Sequence, residues 1–549
     1  MRVTGVTTMY LDSSTIIRNG KSYTRHLLRN SFRENGKVKH RTVANLSACS
    51  EDEIKAIKLA LKHKKDLSAL GTTKGVKTVQ GKRLGAVWAL TVIAQRLGIT
   101  KAFGADRDGK LALLQVIARV VDHGSRLSAV RFAQSHAVCE LIDLDELDED
   151  DLCENLAWLH RHQEGIEKKL FKLRFPNSIP TLFLYDLTSS FPEEVCSELG
   201  EWGYNRDGKK GAMQIAVGML AGPDGLPLAV RVFRGNTKDT ETVSEQVRIL
   251  AENFEVKEVT LVGDRGMLSR PQLDKIISDF SYITAITKTE ILKLLEERVI
   301  QYELFTEHVC EVESNEVRYI IRRNPVRAEE MAMTRQTKRV PIEKLLMGCN
   351  EHLATHPRAS VDAALKRLRT TIEKLECEKW FYASAGERAL VLATDEYALE
   401  QVALLDGCYV IESNVSRRNA EAQTLHDRYC DLEILERAFA TMKSPHLEMT
   451  PGFARKEHST KGHVFVLMLA LLVQRELERC WKELDMTVEE GIDELASIHM
   501  EDVHIGARCI QNVPEPNSTG KELLEKAGIT LPSVLPSRRA NVHTNRTAV

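Results

Sequence analysis

Three carboxylates are the residues of this 549-residue chain best suited to do chemistry. Asp186 follows the apolar run Thr181-Leu-Phe-Leu-Tyr185, and Asp264 follows Val259-Thr-Leu-Val-Gly263. A carboxylate at the C-terminal end of a buried strand is held rigidly yet reaches a solvent cleft, which suits a hard cation such as Mg²⁺. Strands also end in Asp for turn chemistry alone, so neither position is decisive by itself. Gly263 and Gly266 flank the second aspartate and would let backbone and ligand approach closely. The third carboxylate, Glu436, lies on a helix expected from Leu425 to Lys443, where Tyr429, Glu436 and Lys443 recur every seven residues. At about 100° per residue, seven steps return to within roughly 20°, so the three share one helix face. A solvated helix with scattered charges is the plainer reading of that stretch.

Other reactive residues carry less. Thr188, Ser189 and Ser190 offer hydroxyls, but no G-x-S-x-G elbow surrounds them. His463 precedes an apolar helix and reads as a packing or capping residue. Trp380-Phe-Tyr382 would either stack on a flipped base or form a buried strand. Arg318, Arg322, Arg323 and Arg327 would either track a nucleic-acid backbone or line a solvated strand edge.

The elements that must position these groups follow from periodicity. Residues 1–50 hold a basic arm or hairpin. Up to residue 41 it carries nine Lys/Arg against two acids, with Asn35-Gly36 as a turn between apolar–polar runs at Ser22–Leu28 and Val38–Val43. Residues 51–175 read as helices, with apolar spacing at Leu84–Leu97, Leu111–Val121 and Asp150–Phe171. From residue 176 to 290 strands alternate with helices: strands at Thr181–Tyr185, Ala212–Leu220, Leu226–Phe233, Val259–Val262 and Tyr282–Thr287, helices at Thr240–Asn253 and Arg270–Asp279. Three strands joined by tight turns, then strand–helix–strand, is the order of an RNase H-like sheet, and other mixed α/β folds share the pattern. Residues 291–400 break the rhythm as an insertion, with strands at Val317–Ile321 and Ala389–Ala393 and a helix at Val361–Lys379. Helices resume over 401–485, and 486–549 reads as a partly disordered extension, polar and turn-rich after about residue 510.

Bulk properties narrow the class. The net charge of −2 supplies no general attraction to polyanions, so any nucleic-acid contact must come from local basic patches. Eleven cysteines without a C-x-x-C pair argue against a disulfide framework or a zinc ribbon and fit a reducing cytoplasm. The N-terminus lacks a signal-peptide core, and the apolar run Val464–Val473 is short enough to be a buried helix rather than a membrane span.

Tyr429-x-x-Leu432-x-x-x-Glu436-x6-Lys443 resembles the Y-(2)-R-(3)-E-(6)-K signature of IS-four-type DDE transposases of bacterial insertion sequences. Tyr185-Asp186-Leu-Thr-Ser-Ser190, Gly235-Asn-Thr-Lys-Asp-Thr240, Val262-Gly-Asp264-Arg-Gly-Met267, Leu405-Asp-Gly-Cys-Tyr-Val-Ile411 and Lys461-Gly-His463 resemble further blocks of that group, in the same order. The resemblance spans about residues 180 to 480. It implies an RNase H-like core interrupted by a mainly β insertion; the helical region 51–175 before it, rich in Arg and His, would be either a DNA-end-binding domain or a plain helical bundle. It implies Asp186, Asp264 and Glu436 as catalytic ligands of two Mg²⁺ (or Mn²⁺) ions, with Tyr429, Lys443 and Arg265 on DNA. The implied partners are double-stranded terminal inverted repeats and target DNA, met by a homodimer at the bacterial nucleoid, with no membrane. Leucine at 432 departs from the signature arginine, and Arg428, one turn earlier, is the candidate substitute. A related nuclease without strand transfer, or an inactive DNA-binding derivative, are the alternatives.

Overall fold

A computed structural model of the chain describes residues 8–18, 21–34, 37–63, 76–191, 197–203, 212–265, 267, 280–445, 447, 449, 455–505, 508–533 and 535. The chain divides into two compact units. One combines Met1–Lys82 with His499–Glu515 and Pro532–Pro536, and the other holds Arg83–Ile498 and Pro516–Leu531. The helix expected at 270–279 lies outside the described residues.

In the first unit, β1 (Thr8–Arg18), β2 (Lys21–Glu34) and β3 (Lys37–Asn45) form an antiparallel meander. The β2–β3 pairing closes at Glu34↔Lys37, around the Asn35-Gly36 dipeptide, whose own residues lie outside the described set. The basic stretch is therefore a sheet of three strands, one more than the expected hairpin. A capping box at Ser50 and Glu53 starts the helix Glu51–Lys62, which buries Ile54. Next comes β4 (Val76–Arg83), which lies in one sheet with β15 (His499–Ile505) and β16 (Arg508–Asn512). The expectation of helix throughout 51–175 fails at β4. Its partner strand comes from more than 400 residues further on, and no local periodicity announces such a pairing.

The second unit opens with helices, among them Gly85–Arg96, Arg107–Val121 and Glu149–Arg174, the last two capped by Asp106 and Asp148. They pack with the helix Glu457–Trp481, whose Val464–Val473 stretch is buried all round. No helix among the described residues is long and apolar enough to cross a membrane.

Against this layer lies an eight-stranded sheet: β5 (Leu182–Ser190), β6 (Ile215–Ala221), β7 (Pro227–Arg234), β8 (Val259–Gly263), β9 (Phe280–Ala285), β10 (Cys310–Ser314), β11 (Val317–Arg323) and β14 (Cys408–Ser413). Its order is β10-β11-β14-β9-β8-β5-β6-β7. β5, β6 and β7 form an antiparallel meander, and β8 and β9 add parallel to β5. This is the RNase H-like order that the strand pattern suggests. Phe183, Tyr185, Leu187, Val259, Leu261, Phe280 and Tyr282 form one core on one face, beneath the helix Asp239–Arg248. Strand alternation then assigns Leu184, Asp186 and Val262 to the opposite face.

The insertion corrects an expectation. It is mainly helical rather than mainly β: beyond β10 and β11, which join the large sheet, it holds helices Pro325–Thr355, Val361–Lys374 and Glu396–Leu404 and the hairpin of β12 (Phe381–Ala385) and β13 (Leu390–Thr394). Asn324 with Pro325 and, later, Ser360 are the N-cap signals that start the two longer helices. The insertion has its own core of Ile342, Leu353, Leu368, Ile372, Trp380 and Phe381. The expected tail disorder is also corrected within residues 508–533. There the helix Ser518–Lys526 buries Leu523 and Leu524, and the Trp481 indole donates to the Leu523 carbonyl at 3.0 Å.

Candidate active site

Asp186 lies in the middle of β5 rather than at its end, because β5 runs on to Ser190. Its register with the parallel neighbour explains why it still serves as an end. The β5–β8 pairs run Leu182↔Thr260, Phe183↔Leu261, Leu184↔Val262 and Tyr185↔Gly263, where β8 stops. The next step of that register is Asp186 beside Asp264. Asp186 belongs to the face opposite the Phe183–Tyr185–Leu187 core, and Asp264 directly follows the last residue of β8. Asp186 is half-buried and its Oδ1 accepts from the Leu187 N–H at 2.7 Å, whereas Asp264 is exposed. The Asp264 carbonyl accepts from the Met267 N–H at 3.2 Å and from the Thr284 hydroxyl at 3.1 Å. Thr284 is a contributor that sequence reasoning missed. Its one signal was its place in the expected strand at 282–287.

The expected helix 425–443 is two abutting helices, Ala422–Cys430 and Leu432–Lys443, joined at Asp431. The first packs on β8, β9, β11 and β14, and the second on β5. Tyr429, near the end of the first, donates from its hydroxyl to Asp264 Oδ1 at 3.2 Å. Burial first, and then the Asp264 carboxylate, push the Tyr429 phenol above its usual range, while the nearby Arg265 pulls the other way. The phenol therefore stays protonated and available as a donor at neutral pH.

Glu436 and Lys443 are exposed on the second helix, at the border of the face that buries Leu432, Leu435, Ala438, Phe439 and Met442. Leu432 is thus a packing residue: an arginine at that position would have to enter the core. Arg428 does not take the missing arginine's place beside the aspartates. It pairs with Asp431 at 3.0 Å and lines a cleft of about 830 Å³ with Thr181, Leu182, Val259 and Phe280. Those residues begin β5, β8 and β9, whereas Asp186 and Asp264 mark the other end of the parallel run.

The donor set can be tested for a metal. All three candidate ligands are carboxylates, the hard oxygen donors that Mg²⁺ and Mn²⁺ take, and two of them are neighbours by register. Among the described residues no three His, Cys, Asp or Glu side chains converge closely enough to hold one ion. The donor chemistry of the three carboxylates fits such a cation, while the described residues hold no closed set of ligands around one point.

The weaker candidates resolve into structure. Arg318 is 2% exposed and grips Glu311 with two nitrogens, at 2.8 and 3.2 Å, and the carbonyls of Val415 and Ala420. It does not line a surface for DNA. Arg322 bonds His426 at 3.0 Å, and Arg323 bonds the Asp406 carbonyl. Trp380 and Phe381 are core residues of the insertion, leaving only Tyr382 exposed. Ser189 and Ser190 are buried, as is His463, which bonds Arg126 at 2.8 Å.

Comparison with known proteins supplies the class. Residues 190–473, more than half the chain, match the family model of the transposase DDE domain, and the chain belongs to that family. Residues 11–73, which include most of the basic meander, match the N-terminal domain of IS1634 family transposases. The DDE match takes in Asp264, Tyr429, Glu436 and Lys443 and begins four residues after Asp186. The protein is thus a DNA transposase of the insertion-sequence kind, a DDE enzyme. No curated protein matches the chain. One solved structure, the cryo-EM structure of a piggyBac transposase synaptic complex with hairpin DNA, is a distant likeness. It shows 8% identity over 77% of this chain and 70% of that one, with a TM-score of 0.33.

Proposed function

We propose that this transposase binds the terminal inverted repeats of its own insertion sequence, hydrolyses a phosphodiester at each end and joins the freed 3′-OH to target DNA. The observation that supports the reading most is the β5–β8 register, which runs to Tyr185↔Gly263 and so leads to Asp186 and Asp264 at one end of the parallel run, with the helices of Tyr429 and Glu436 packed on those strands. Asp186, Asp264 and Glu436 would hold Mg²⁺ or Mn²⁺, two ions in all. Bound there, the cations supply an activated oxygen nucleophile at neutral pH and countercharge for the leaving oxygen.

The remaining work falls to this chain's own groups. The Leu187 N–H fixes Asp186 Oδ1, and the Tyr429 hydroxyl fixes Asp264 Oδ1. Thr284 anchors the Asp264 backbone from the next strand. Glu436, on the exposed surface of its helix, would complete the set by turning its long side chain towards the aspartates. Arg265 and Lys443, both exposed, would hold phosphates beside the aspartates. Arg428 is spent on Asp431 and is left out of that set. The exposed Arg25, Arg33, Lys37, Lys39 and Arg41 of the meander supply a local basic surface for the repeat DNA. The enzyme would act at the nucleoid as a homodimer on paired ends.

DNA carrying the element's inverted repeats, incubated with the chain and Mg²⁺, tests the reading. Cleaved ends together with products joined to target DNA are expected. Cleavage without joining would reduce the protein to a nuclease, and binding without cleavage to an inactive DNA-binding derivative.

A further inference from the structure

A cavity of about 320 Å³ lies where the helix Glu457–Trp481 meets the end of the Leu432–Lys443 helix, at Thr441, and the start of the helix Val488–Ala496. None of the chemistry above uses it. Leu471, Gln474, Arg475, Glu478, Trp481 and Lys482 line it. Counted from Leu471 they fall at steps of three, four, seven, ten and eleven, so they come from one face of one helix. The volume is at the small end for ligand sites, enough for one molecule the size of a mononucleotide.

Its polar groups are left without partners. Gln474 is 4% exposed, and neither its amide nitrogen nor its amide oxygen has a hydrogen-bond partner among the described residues. A buried amide in that state weakens the fold until a partner arrives. Arg475 donates from Nη1 to Glu478 at 2.7 Å, while its Nη2 is buried and has no partner among the described residues. Lys482 is exposed and Glu489, which also lines the cavity, is half-buried; neither makes an ion pair among the described residues. The buried Trp481 ring is a fixed wall. Leu523 holds its indole N–H, and the ring packs so closely on Gly491 that a Cβ there would lie 2.6 Å from it. A wall held in advance loses little freedom when a flat molecule settles against it.

We propose that this cavity binds a purine ribonucleoside monophosphate. A glutamine amide offers a donor and an acceptor side by side, which match N7 and the N6 amino group of adenine. Leu471, Trp481 and Met486 give the ring an apolar surround. Arg475 and Lys482 suit the phosphate. Lys482 lies eight residues along the helical chain from Gln474, or about 12 Å, close to the reach of a mononucleotide from base edge to phosphate. The free Glu489 carboxylate suits the ribose hydroxyls, which donate to it. It calls for a ribose, so the ligand is a free ribonucleotide rather than a unit of a DNA strand. The site stands outside the cleavage reading and is tested without DNA or metal.

Calorimetric titration of the full chain with AMP should show saturable binding below about 1 mM, with dAMP roughly tenfold weaker. Glu489→Ala should remove that preference. Lys482→Ala should weaken AMP roughly tenfold and leave adenosine unchanged. Gln474→Leu should abolish AMP binding yet raise Tm, because it removes a buried polar group that has no partner. A chain that does not bind AMP at about 1 mM, dAMP bound as tightly as AMP, or a Gln474→Leu chain that binds AMP like the wild type would each overturn the proposal.

Discussion

At the residue scale, the proposed chemistry rests on how backbone register and one hydroxyl present two aspartates. Tyr429→Phe removes the donor to Asp264 Oδ1 and little else. A hydrogen bond to a charged group contributes about 1.5–3 kcal/mol, so single-turnover cleavage should fall about 10- to 100-fold, with end binding preserved. Cleavage at the wild-type rate would remove the tyrosine from the site. Leu432 calls for the opposite kind of test. Because it is buried on the face that packs on β5, Leu432→Arg should destabilise the fold by about 3 kcal/mol, read as a lower urea midpoint. An unchanged midpoint would mean the position accepts the signature arginine after all. The aspartates were legible in the sequence because apolar runs end beside them. The bond between Tyr429 and Asp264 was legible only as a seven-residue spacing. Thr284 was hidden, since it acts through a backbone carbonyl that only the fold brings to it.

At the scale of elements, the pairing of Arg318 with Glu311 ties the β10–β11 hairpin to the segment that leads into the Tyr429 helix, through the Val415 and Ala420 carbonyls. Removing one partner of a buried pair typically costs about 3–5 kcal/mol, and Arg318→Ala should lower the urea midpoint accordingly. Arg318 first, with Arg417 beside it, holds the Glu311 carboxyl below its ordinary value despite partial burial. A depressed folded-state value means stability that is present above the ordinary carboxylate range and lost as pH falls through the folded value. Glu311→Gln should therefore destabilise the protein at pH 7 and lose that effect as pH falls below the ordinary carboxylate range. An equal effect at pH 7 and below that range would contradict the pairing. Strands β5 to β9 were readable because apolar runs between turn residues leave few alternatives. The long insertion helix was missed: its charged residues and scattered apolar positions obscure any helical period, although Asn324 and Ser360 mark helix starts. The split at Asp431 was missed because nothing in composition distinguishes one helix from two that abut.

At the scale of the whole molecule, the basic meander and the carboxylate-bearing sheet belong to different units, a division of labour suited to binding DNA with one and cutting it with the other. Replacing Arg25, Arg33 and Arg41, all exposed, by Ala should weaken end binding and reduce the salt slope by about one for each phosphate that is no longer neutralised. A slope that does not change would exclude the meander from the DNA interface. Pairings between distant segments were the least legible feature. β4 with β15, and the β10–β11 hairpin extending the sheet beyond β14, rest on pairings that no local pattern encodes. The central claim is that Asp186, Asp264 and Glu436 act as one ligand set. It is tested most directly by single-turnover cleavage of end-labelled repeat DNA in Mg²⁺ by Asp186→Asn, Asp264→Asn and Glu436→Gln, with end binding measured in parallel. Each variant should bind the ends as the wild type does and cut none of them. A Glu436→Gln enzyme that still cleaves at the wild-type rate would contradict the claim, and Glu433, also exposed on the same helix, would then be the carboxylate to test next.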